Sequence, residues 1–175
     1  MEPRVLGDDV LAVGRRIKLL RRRVEFTGSK FEKDVVEFGE AAIVVPILED
    51  GKIVMVKQWR ASVKSWVLEV PAGKVEKGEE PEAAARRELV EETGFEPGEL
   101  VKVAKFYATP GYSDEVMHFY VAKRLIKRAP HPEAGEVIKV VEVDPDEYLS
   151  NLGNQILDLK TVAALLLCKS YGWLS

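Results

Sequence analysis

Residues 73–95 read GKVEKGEEPEAAARRELVEETGF and contain the clearest helical pattern of the chain. The pattern predicts a helix over residues 81–93, because Pro81 suits the first turn and Gly94 suits the C-cap. Acidic residues also crowd the N-terminal end of this helix, where the helix dipole favours them. The segment therefore predicts a glycine-containing loop that leads into one well-bounded helix.

Carboxylates concentrate at the other end of this helix. Glu91 and Glu92 follow Glu88 by three and four residues, so all three share one face, and Glu79 lies just before the helix. Like charges at this spacing repel each other, and the dipole disfavours anions at this end. A cation would resolve both problems, and clustered carboxylates favour Mg²⁺ or Mn²⁺ over zinc. The alternative is a solvated acidic face, as on most glutamate-rich helices.

Neighbouring residues favour the metal site over a solvated face. Gly73 and Gly78 mark a loop whose backbone can approach a ligand closely. Arg87 can pair with Glu79 or Glu91 and orient the carboxylate. The segment therefore predicts a divalent-metal site that includes this helix.

Composition and charge argue against several other classes of protein. The 175 residues, 46% of them hydrophobic, suffice for one well-packed domain or for one domain with a small appendage. The net charge of −3 does not indicate a broad basic face for nucleic acid. The longest apolar run, residues 162–168, is too short to span a bilayer, and residues 1–10 lack the apolar core of a signal peptide. We therefore expect a cytoplasmic protein that binds neither nucleic acid nor membranes.

Two further features of the composition concern the environment of the protein. The single cysteine, Cys168, excludes an intrachain disulfide, and its apolar surroundings in the sequence favour a role in core packing. The chain contains only two Asn and two Gln, while 31% of its residues are charged. Few heat-labile amide side chains together with many charged residues are typical of thermophilic proteins. We expect a thermophile protein without disulfides.

Alternating apolar patterns predict strands on both sides of the helix. A hairpin is predicted from residues 15–26 and 31–38 around the turn Thr27-Gly28-Ser29. Further strands are predicted at residues 41–48, 52–59, 67–70, 101–107, 116–122 and 137–143. Asp144 can cap a short helix that starts at Pro145, and a last helix is predicted over residues 157–171. This order predicts an α+β fold with a mixed sheet between helices.

The segment quoted first resembles the signature of the Nudix hydrolases. Five residues separate Gly73 from Glu79, seven more precede Arg87-Glu88-Leu89, and Glu91-Glu92 and Gly94-Phe95 complete the pattern. The resemblance implies a Nudix-type α/β/α sandwich with a mixed sheet, preceded here by an N-terminal antiparallel β-hairpin or sheet. It also implies metal-dependent hydrolysis of a nucleoside diphosphate that is linked to another group.

Residues outside the signature are similar to the ADP-ribose pyrophosphatase branch of this family. The similar stretches are residues 56–60 (VKQWR), 66–73 (WVLEVPAG) and 158–166 (DLKTVAALL), and Pro110 lies 16 residues past Gly94, where the branch carries a proline. The resemblance implies hydrolysis of ADP-ribose to AMP and ribose 5-phosphate. One alternative is hydrolysis of another nucleoside diphosphate sugar or of an oxidised nucleotide. Another is a non-catalytic Nudix-fold module that only binds its ligand.

The resemblance further implies roles for individual residues. The metal ligands would be the Ala72 carbonyl, Glu88, Glu92 and Glu136. The catalytic residues would be Arg87, Glu91 and Glu133, where Glu91 positions water or binds a metal and Glu133 is the general base. Residues 131–136 depart from the Glu-x-Glu spacing of the branch, and their alternative is a mobile acidic loop.

Substrate contacts would come from residues on both sides of the signature. They are Phe38, Arg60, Glu69, Thr109, Pro110, Gly111 and Glu115. For Arg60, a structural salt bridge to Glu69 is an equally good interpretation. For residues 109–111 the alternative is ordinary Pro-Gly turn chemistry, and for Phe38 it is a place in the core.

Members of this branch usually swap an N-terminal hairpin onto a partner subunit. Residues 1–40 are therefore expected to form a β segment, followed by a catalytic domain over residues 41–175. A lone hairpin is marginally stable unless it packs on something else. We expect a homodimer in which each substrate site is built from two chains.

Overall fold

The computed structural model describes residues 1–128 and 137–175. In these ranges the elements are β1 (Arg4–Val13), β2 (Lys18–Phe26), β3 (Ser29–Glu37), β4 (Glu40–Pro46), β5 (Ile53–Arg60), β6 (Ser65–Glu69), β7 (Ala72–Lys74), α1 (Pro81–Thr93), β8 (Phe95–Tyr107), β9 (Val116–Lys127), β10 (Ile138–Val143), α2 (Pro145–Leu149) and α3 (Leu159–Ser170). The predicted α+β class with an N-terminal antiparallel sheet is confirmed.

The element bounds agree with the sequence pattern to different degrees. The predicted helix coincides with α1, and the other predicted strands and helices have counterparts with shifted ends. The pattern does not predict β1, because Gly7-Asp8-Asp9 interrupts its apolar alternation. It does not predict β7 either, because a strand of three residues directly after Pro71 carries no periodic signal.

Two compact units make up the chain. The first comprises residues 1–40 and 106–117, and the second comprises residues 41–105 and 118–175. Among the described residues, no helix has the length and apolar character that a membrane crossing requires.

In the first unit, β1, β2 and β3 form an antiparallel sheet in that order. β2 and β3 pair without irregularity up to a two-residue turn at Thr27 and Gly28, whose φ angles of 48° and 82° suit a tight hairpin. Asp8 lies opposite Arg22 in the register of β1 and β2 and accepts two hydrogen bonds from it at 2.8 and 2.9 Å. Charge complementarity across the strands therefore supports the register.

Two sheets lie in the second unit. One has the order β10-β5-β6. The other has the order β7-β4-β9-β8, and one or two terminal residues of its strands β4, β8 and β9 belong to the first unit. β4 and β7 pair antiparallel with Ala42 opposite Gly73, and the Val44 N–H donates to the Pro71 carbonyl at 2.9 Å. The short strand that precedes α1 is thereby fixed to β4, as the edge strand of this sheet.

α1 packs its apolar face on the β7-β4-β9-β8 sheet. Ala84, Ala85 and Leu89 are fully buried in a core cluster with residues of β4 and β9. Glu92 follows Leu89 by three residues and therefore lies on the side of the helix that faces the sheet, where it is 4% exposed. The helix ends at Gly94, whose φ of 72° is the left-handed conformation expected at this position. Core packing thus determines which of its glutamates is buried.

Candidate active site

Strand β7 lies against the carboxylates of α1. The Ala72 N–H donates to Glu92 Oε2 at 3.1 Å. At the next residue, an added Cβ on Gly73 would lie 1.9 Å from Glu88 Cδ, so the Glu88 carboxylate occupies the space that a side chain would need. Only glycine is compatible with this contact. Two carboxylates from successive turns of one helix therefore meet the same short strand.

Arg87 connects three of the glutamates. Its Nε and Nη2 donate to the two Glu79 oxygens, each at 3.0 Å, and its Nη1 donates to Glu88 at 2.7 Å and to Glu91 at 2.9 Å. Nη2 also donates to the Lys74 carbonyl at 3.1 Å. The sequence predicts pairing of Arg87 with Glu79 or Glu91, and the structure shows both pairs. One guanidinium thus reduces the repulsion among the carboxylates and ties them to β7.

These contacts also set protonation states. The hydrogen bond from Arg87 holds the pKa of the Glu79 carboxyl below its ordinary value. The same bond, together with those to Glu88 and Glu91, raises the pKa of the Arg87 guanidinium above its already high ordinary value. Arg87 therefore remains a cation at any working pH and can orient charged groups but cannot transfer a proton.

A second ionic network lies beside the first, centred on Glu69 at the end of β6. Glu69 is 2% exposed and accepts hydrogen bonds from Arg60 Nε and Nη2, both at 2.7 Å. Lys160 Nζ also donates to this carboxylate and, at 2.9 Å, to Asp158 Oδ1. Burial alone would raise the pKa of Glu69, but the hydrogen bonds and charges of Arg60 and Lys160 outweigh it, and the pKa is lowered. The salt bridge that was the alternative for Arg60 is therefore present.

The first turn of α3 holds the chain that leads to β7. Asp158 caps this helix by accepting from the Thr161 N–H at 2.9 Å and from Thr161 Oγ1 at 2.6 Å. Thr161 Oγ1 in turn accepts from the Val70 N–H at 3.0 Å. The sequence pattern does not predict individual roles for Asp158, Lys160 or Thr161. An Asp three residues before a Thr at the start of an apolar helix is the capping signal that could have found them.

A cavity of about 760 Å³, a volume within the range of small-molecule sites, adjoins this network. Arg60, Glu69 and Lys160 form part of its wall. Aromatic and amide side chains also line it: Trp66, Tyr148, Asn151 and Gln155. The Tyr148 hydroxyl donates to the Leu68 carbonyl at 3.3 Å, and burial raises the pKa of this phenol to about 12. Arg60 therefore borders a space that is large enough for part of a ligand.

The remaining predicted substrate residues belong to the first unit. Thr109, Pro110 and Gly111 start a turn in which the Thr109 carbonyl accepts from the N–H groups of residues 112 and 113, at 3.1 and 2.9 Å. Asp114, which the sequence analysis missed, accepts from the Phe38 N–H at 2.7 Å. Phe38 is half-buried, and Glu115 donates its backbone N–H to Ser113 Oγ at 3.1 Å. An Asp in a Pro-Gly loop is a common backbone anchor, which is the signal that could have identified Asp114.

Two predicted residues, Glu133 and Glu136, lie outside the described residues. The assignments of Glu133 as general base and of Glu136 as metal ligand therefore stay predictions. In the described ranges, the carboxylates of α1 do not form a ready-made cluster of three or more metal ligands. The geometry does provide two carboxylates of α1, Glu88 and Glu92, that lie against β7, with the guanidinium of Arg87 bonded to Glu88.

Comparison with known proteins decides the family. A sequence model of the NUDIX domain matches residues 37–165. The chain belongs to the NUDIX family. The prediction of a Nudix hydrolase is thereby confirmed.

Relatives of this Nudix protein cover nearly its whole length. The ADP-ribose pyrophosphatase of Bacillus subtilis (strain 168) is 35% identical, over 94% of this chain and 91% of its own. The methanol dehydrogenase activator of Bacillus methanolicus is 37% identical, over the same shares. The crystal structure of an ADP compounds hydrolase superposes with a TM-score of 0.83 at 24% identity, over 98% of this chain and 94% of that chain. The last likeness confirms the predicted Nudix-type fold.

The contact of Gly73 with Glu88 gives a test of the site geometry. In Gly73→Ala the new methyl group must displace the Glu88 carboxylate, which is the far end of a flexible side chain. We therefore expect the free energy of unfolding to fall by about 1 kcal/mol, the low end of the cost of adding a group to a packed site, while hydrolysis falls by at least roughly tenfold. Denaturant unfolding and steady-state rates measure the two effects.

The control for this prediction uses the Glu88→Ala background. There the carboxylate is already gone, so Gly73→Ala should reduce the rate no further. A second, independent loss of rate in that background would show that Gly73 acts through something other than Glu88.

Proposed function

We propose that this Nudix hydrolase cleaves the pyrophosphate bond of ADP-ribose to AMP and ribose 5-phosphate, with Mg²⁺ or Mn²⁺ as cofactor. The observation that carries the proposal is the pair of carboxylates, Glu88 and Glu92, that β7 and Arg87 hold on one side of α1. The 35% identity to an ADP-ribose pyrophosphatase over 94% of the chain supports the choice of substrate.

The residues of the site fit a divalent cation. Glu88 and Glu92 supply hard oxygen ligands, and the space at Gly73 that a Cβ would fill keeps the Glu88 carboxylate beside the backbone of β7. The Ala72 carbonyl and Glu136 would complete the ligand set. When bound, the cation would neutralise charge on the pyrophosphate and acidify a water molecule.

The other groups of the site would bind and orient. Arg87 keeps its charge and fixes Glu79, Glu88 and Glu91, so it stabilises the arrangement without exchanging protons. Glu91 would position the attacking water, and Glu133 would accept its proton as general base. In this proposal Arg87 supplies a permanent positive charge, whereas Glu133 accepts the proton of the attacking water.

Substrate recognition would come from Arg60 and from residues of the first unit. The Arg60 side chain is 34% exposed despite its bond to Glu69, so it can still meet a phosphate oxygen. Glu69 would act through Arg60, because its own carboxylate is buried. The contacts to the substrate's sugar ends would come from Phe38, Thr109, Pro110, Gly111 and Glu115.

The N-terminal sheet supports the proposal of a homodimer. Several of its large apolar side chains are exposed: Val5, Val10, Val13, Phe26 and Phe31. An exposed apolar set of this kind is typical of an interaction surface. We infer that residues 1–40 swap onto a partner subunit and complete the site of its catalytic domain, residues 41–175.

The cytoplasmic location is also part of the proposal. Cys168 is buried, and burial raises the pKa of its thiol to about 12, so it is inert as a nucleophile. A chain with a single inert cysteine suits a reducing compartment. The thermophilic origin that the composition indicates stays a prediction.

Regulation of another enzyme is a second candidate, because a relative with 37% identity is named as an activator of methanol dehydrogenase. Such a regulator could be a non-catalytic Nudix-fold module that only binds its ligand. Hydrolysis is favoured over this alternative, since a module that only binds has no need of clustered carboxylates. Metal-dependent turnover without any partner protein separates the two.

Glu92→Gln should reduce the rate at least roughly 100-fold, because it removes the charge of a metal ligand. The fold should survive, since the amide oxygen of glutamine can still accept the Ala72 N–H. Rates at saturating Mg²⁺ and a thermal melt measure the two effects. The control is Glu82→Gln in the first turn of α1, where the glutamate pairs with Arg86 at the surface. A near-normal rate of Glu92→Gln would refute the metal assignment.

A competition among ADP-ribose, GDP-mannose and dATP at equal concentration tests the substrate. We expect ADP-ribose to be preferred, and Glu115→Ala to lower its kcat/KM by about tenfold without changing the Mg²⁺ requirement. The matched control is Glu99→Ala, whose glutamate pairs with Arg124 at the surface. A clear preference for dATP would overturn the substrate and leave the hydrolase activity standing.

Deletion of residues 1–38 should yield a monomer that has lost activity, because it removes the sheet that would complete the partner's site. Sedimentation gives the oligomeric state, and the ADP-ribose assay gives the activity. A thermal melt shows whether the rest of the chain is still folded. A truncated protein that is folded, dimeric and active would exclude the swapped arrangement.

A further inference from the structure

Lys160 has no role in the site described so far, yet it shares a buried carboxylate with Arg60. Glu69 accepts two hydrogen bonds from Arg60 and one from Lys160. Lys160 lies in the first turn of α3, 91 residues from Glu69 in sequence, and its side chain is 19% exposed. A cation from a distant helix is thus brought to the partner of the proposed substrate-binding arginine.

The pairing of β5 with β6 explains why Glu69 decides where the Arg60 guanidinium lies. Arg60 lies opposite Ser65, whereas Glu69 lies opposite Val56. The Arg60 side chain must therefore extend along the sheet to reach Glu69. Two parallel hydrogen bonds then fix the plane of the guanidinium. Any change in the position of the Glu69 carboxylate will accordingly move this cation.

Lys160 changes the balance of charge around Glu69. Without it, Arg60 would be the one cation, among the residues that the structure describes, bonded to a carboxylate that is almost completely buried. The positive charge of Arg60 would then be largely used to compensate Glu69, because a buried carboxylate that lacks sufficient counter-charge is costly. Lys160 also donates to Asp158, so Arg60 and Lys160 together balance the two carboxylates of Glu69 and Asp158. Without Lys160, one negative charge in this group would be left uncompensated, and the potential that Arg60 offers to a ligand phosphate would be less positive.

Arg60 is also within electrostatic range of α1. The hydrogen bond to Glu69 is the main cause that raises the pKa of Arg60, and the negative charge of Glu92 contributes to the same shift. The charge of Arg60 therefore interacts with Glu92, one of the two carboxylates proposed to bind the metal.

We propose that Lys160 is a positioning residue for substrate binding: it shares Glu69 with Arg60 and so keeps the guanidinium oriented and positively charged toward the pyrophosphate. This inference rests on the proposed function, because it takes Arg60 as a substrate contact. It separates two groups of residues. Lys160, Glu69 and Arg60 act on substrate affinity, whereas Glu88 and Glu92 act on the metal.

The test is Lys160→Met, which keeps the length of the aliphatic side chain and removes the charge. We expect KM for ADP-ribose to rise by roughly tenfold with kcat within about twofold, as loss of uniform binding should produce. The Mg²⁺ concentration for half-maximal rate should stay unchanged. Lys160→Arg, which restores a cation, should recover most of the affinity.

A matched control lies on the same helix. Lys169 is in the last turn of α3, pairs with Asp146 at 2.7 Å and has a side chain that is 27% exposed. Lys169→Met removes a lysine of similar exposure at the other end of the helix, whose partner Asp146 is 70% exposed, so it should leave KM unchanged. A rise in KM in both variants would assign the effect to general destabilisation of α3 and overturn the proposal.

A double-mutant cycle separates positioning from a merely structural role. If Lys160 acts through Arg60, then Lys160→Met should add nothing to the KM of Arg60→Met. Independent, additive increases in KM would overturn the proposal, and so would an unchanged KM in Lys160→Met alone. If Lys160→Met fails to fold, Lys160→Gln takes its place, because it keeps a hydrogen-bond donor without the charge.

The outcome for Lys160 is distinguishable from that for the proposed function. A wild-type protein that does not turn over ADP-ribose refutes the substrate assignment. The same cycle is then measured on the binding of ADP-ribose in EDTA by calorimetry. A Kd that is roughly tenfold weaker in Lys160→Met, and unchanged by it in the Arg60→Met background, still supports the role of Lys160. Equal values of Kd, or no binding at all, overturn it.

Discussion

Arg87 donates hydrogen bonds to Glu79, Glu88 and Glu91, and the geometry of the site depends on this shared guanidinium. Carboxylates at this spacing on one helix repel each other, and the end of the helix that carries them disfavours anions. One fixed cation, whose planar fork can bind several oxygens at once, reduces that repulsion. It also reaches the Lys74 carbonyl, so the helix and the strand before it are tied together by the same group.

The burial of Glu92 follows from a different constraint, the packing of α1. Leu89 and the two alanines before it are buried on the β7-β4-β9-β8 sheet, so a glutamate three residues after Leu89 must face β7. Glu88 is adjacent to this face and lies where a side chain on Gly73 would be. Apolar packing of α1 therefore turns the two carboxylates toward β7. Hydrogen bonds from Arg87 to Glu88 and from the Ala72 N–H to Glu92 then hold them in place. Burial of the apolar residues of α1 stabilises the fold, and the carboxylates proposed to bind the metal lie beside these residues on the same helix.

The sequence predicts the local part of this arrangement well. Pro81 and Gly94 bound the helix at the residues where the structure begins and ends it, because capping and fixed φ angles act within one turn. The spacing of the glutamates identifies their common face for the same reason. The strand β7, in contrast, is too short for a periodic pattern, and it forms because β4 offers it a partner. Glu133 and Glu136 stay predictions, since they lie outside the described residues.

By itself, the sequence determined the α+β class, the Nudix signature and the set of carboxylates, since each depends on residues that are close together in the chain. Only the tertiary structure decided that Glu69 is buried between Arg60 and Lys160, and that Thr161 holds the backbone of Val70. These contacts join residues up to 91 positions apart. Their distances depend on how β5, β6 and α3 pack, and pairing of distant elements leaves no periodic trace in a single sequence.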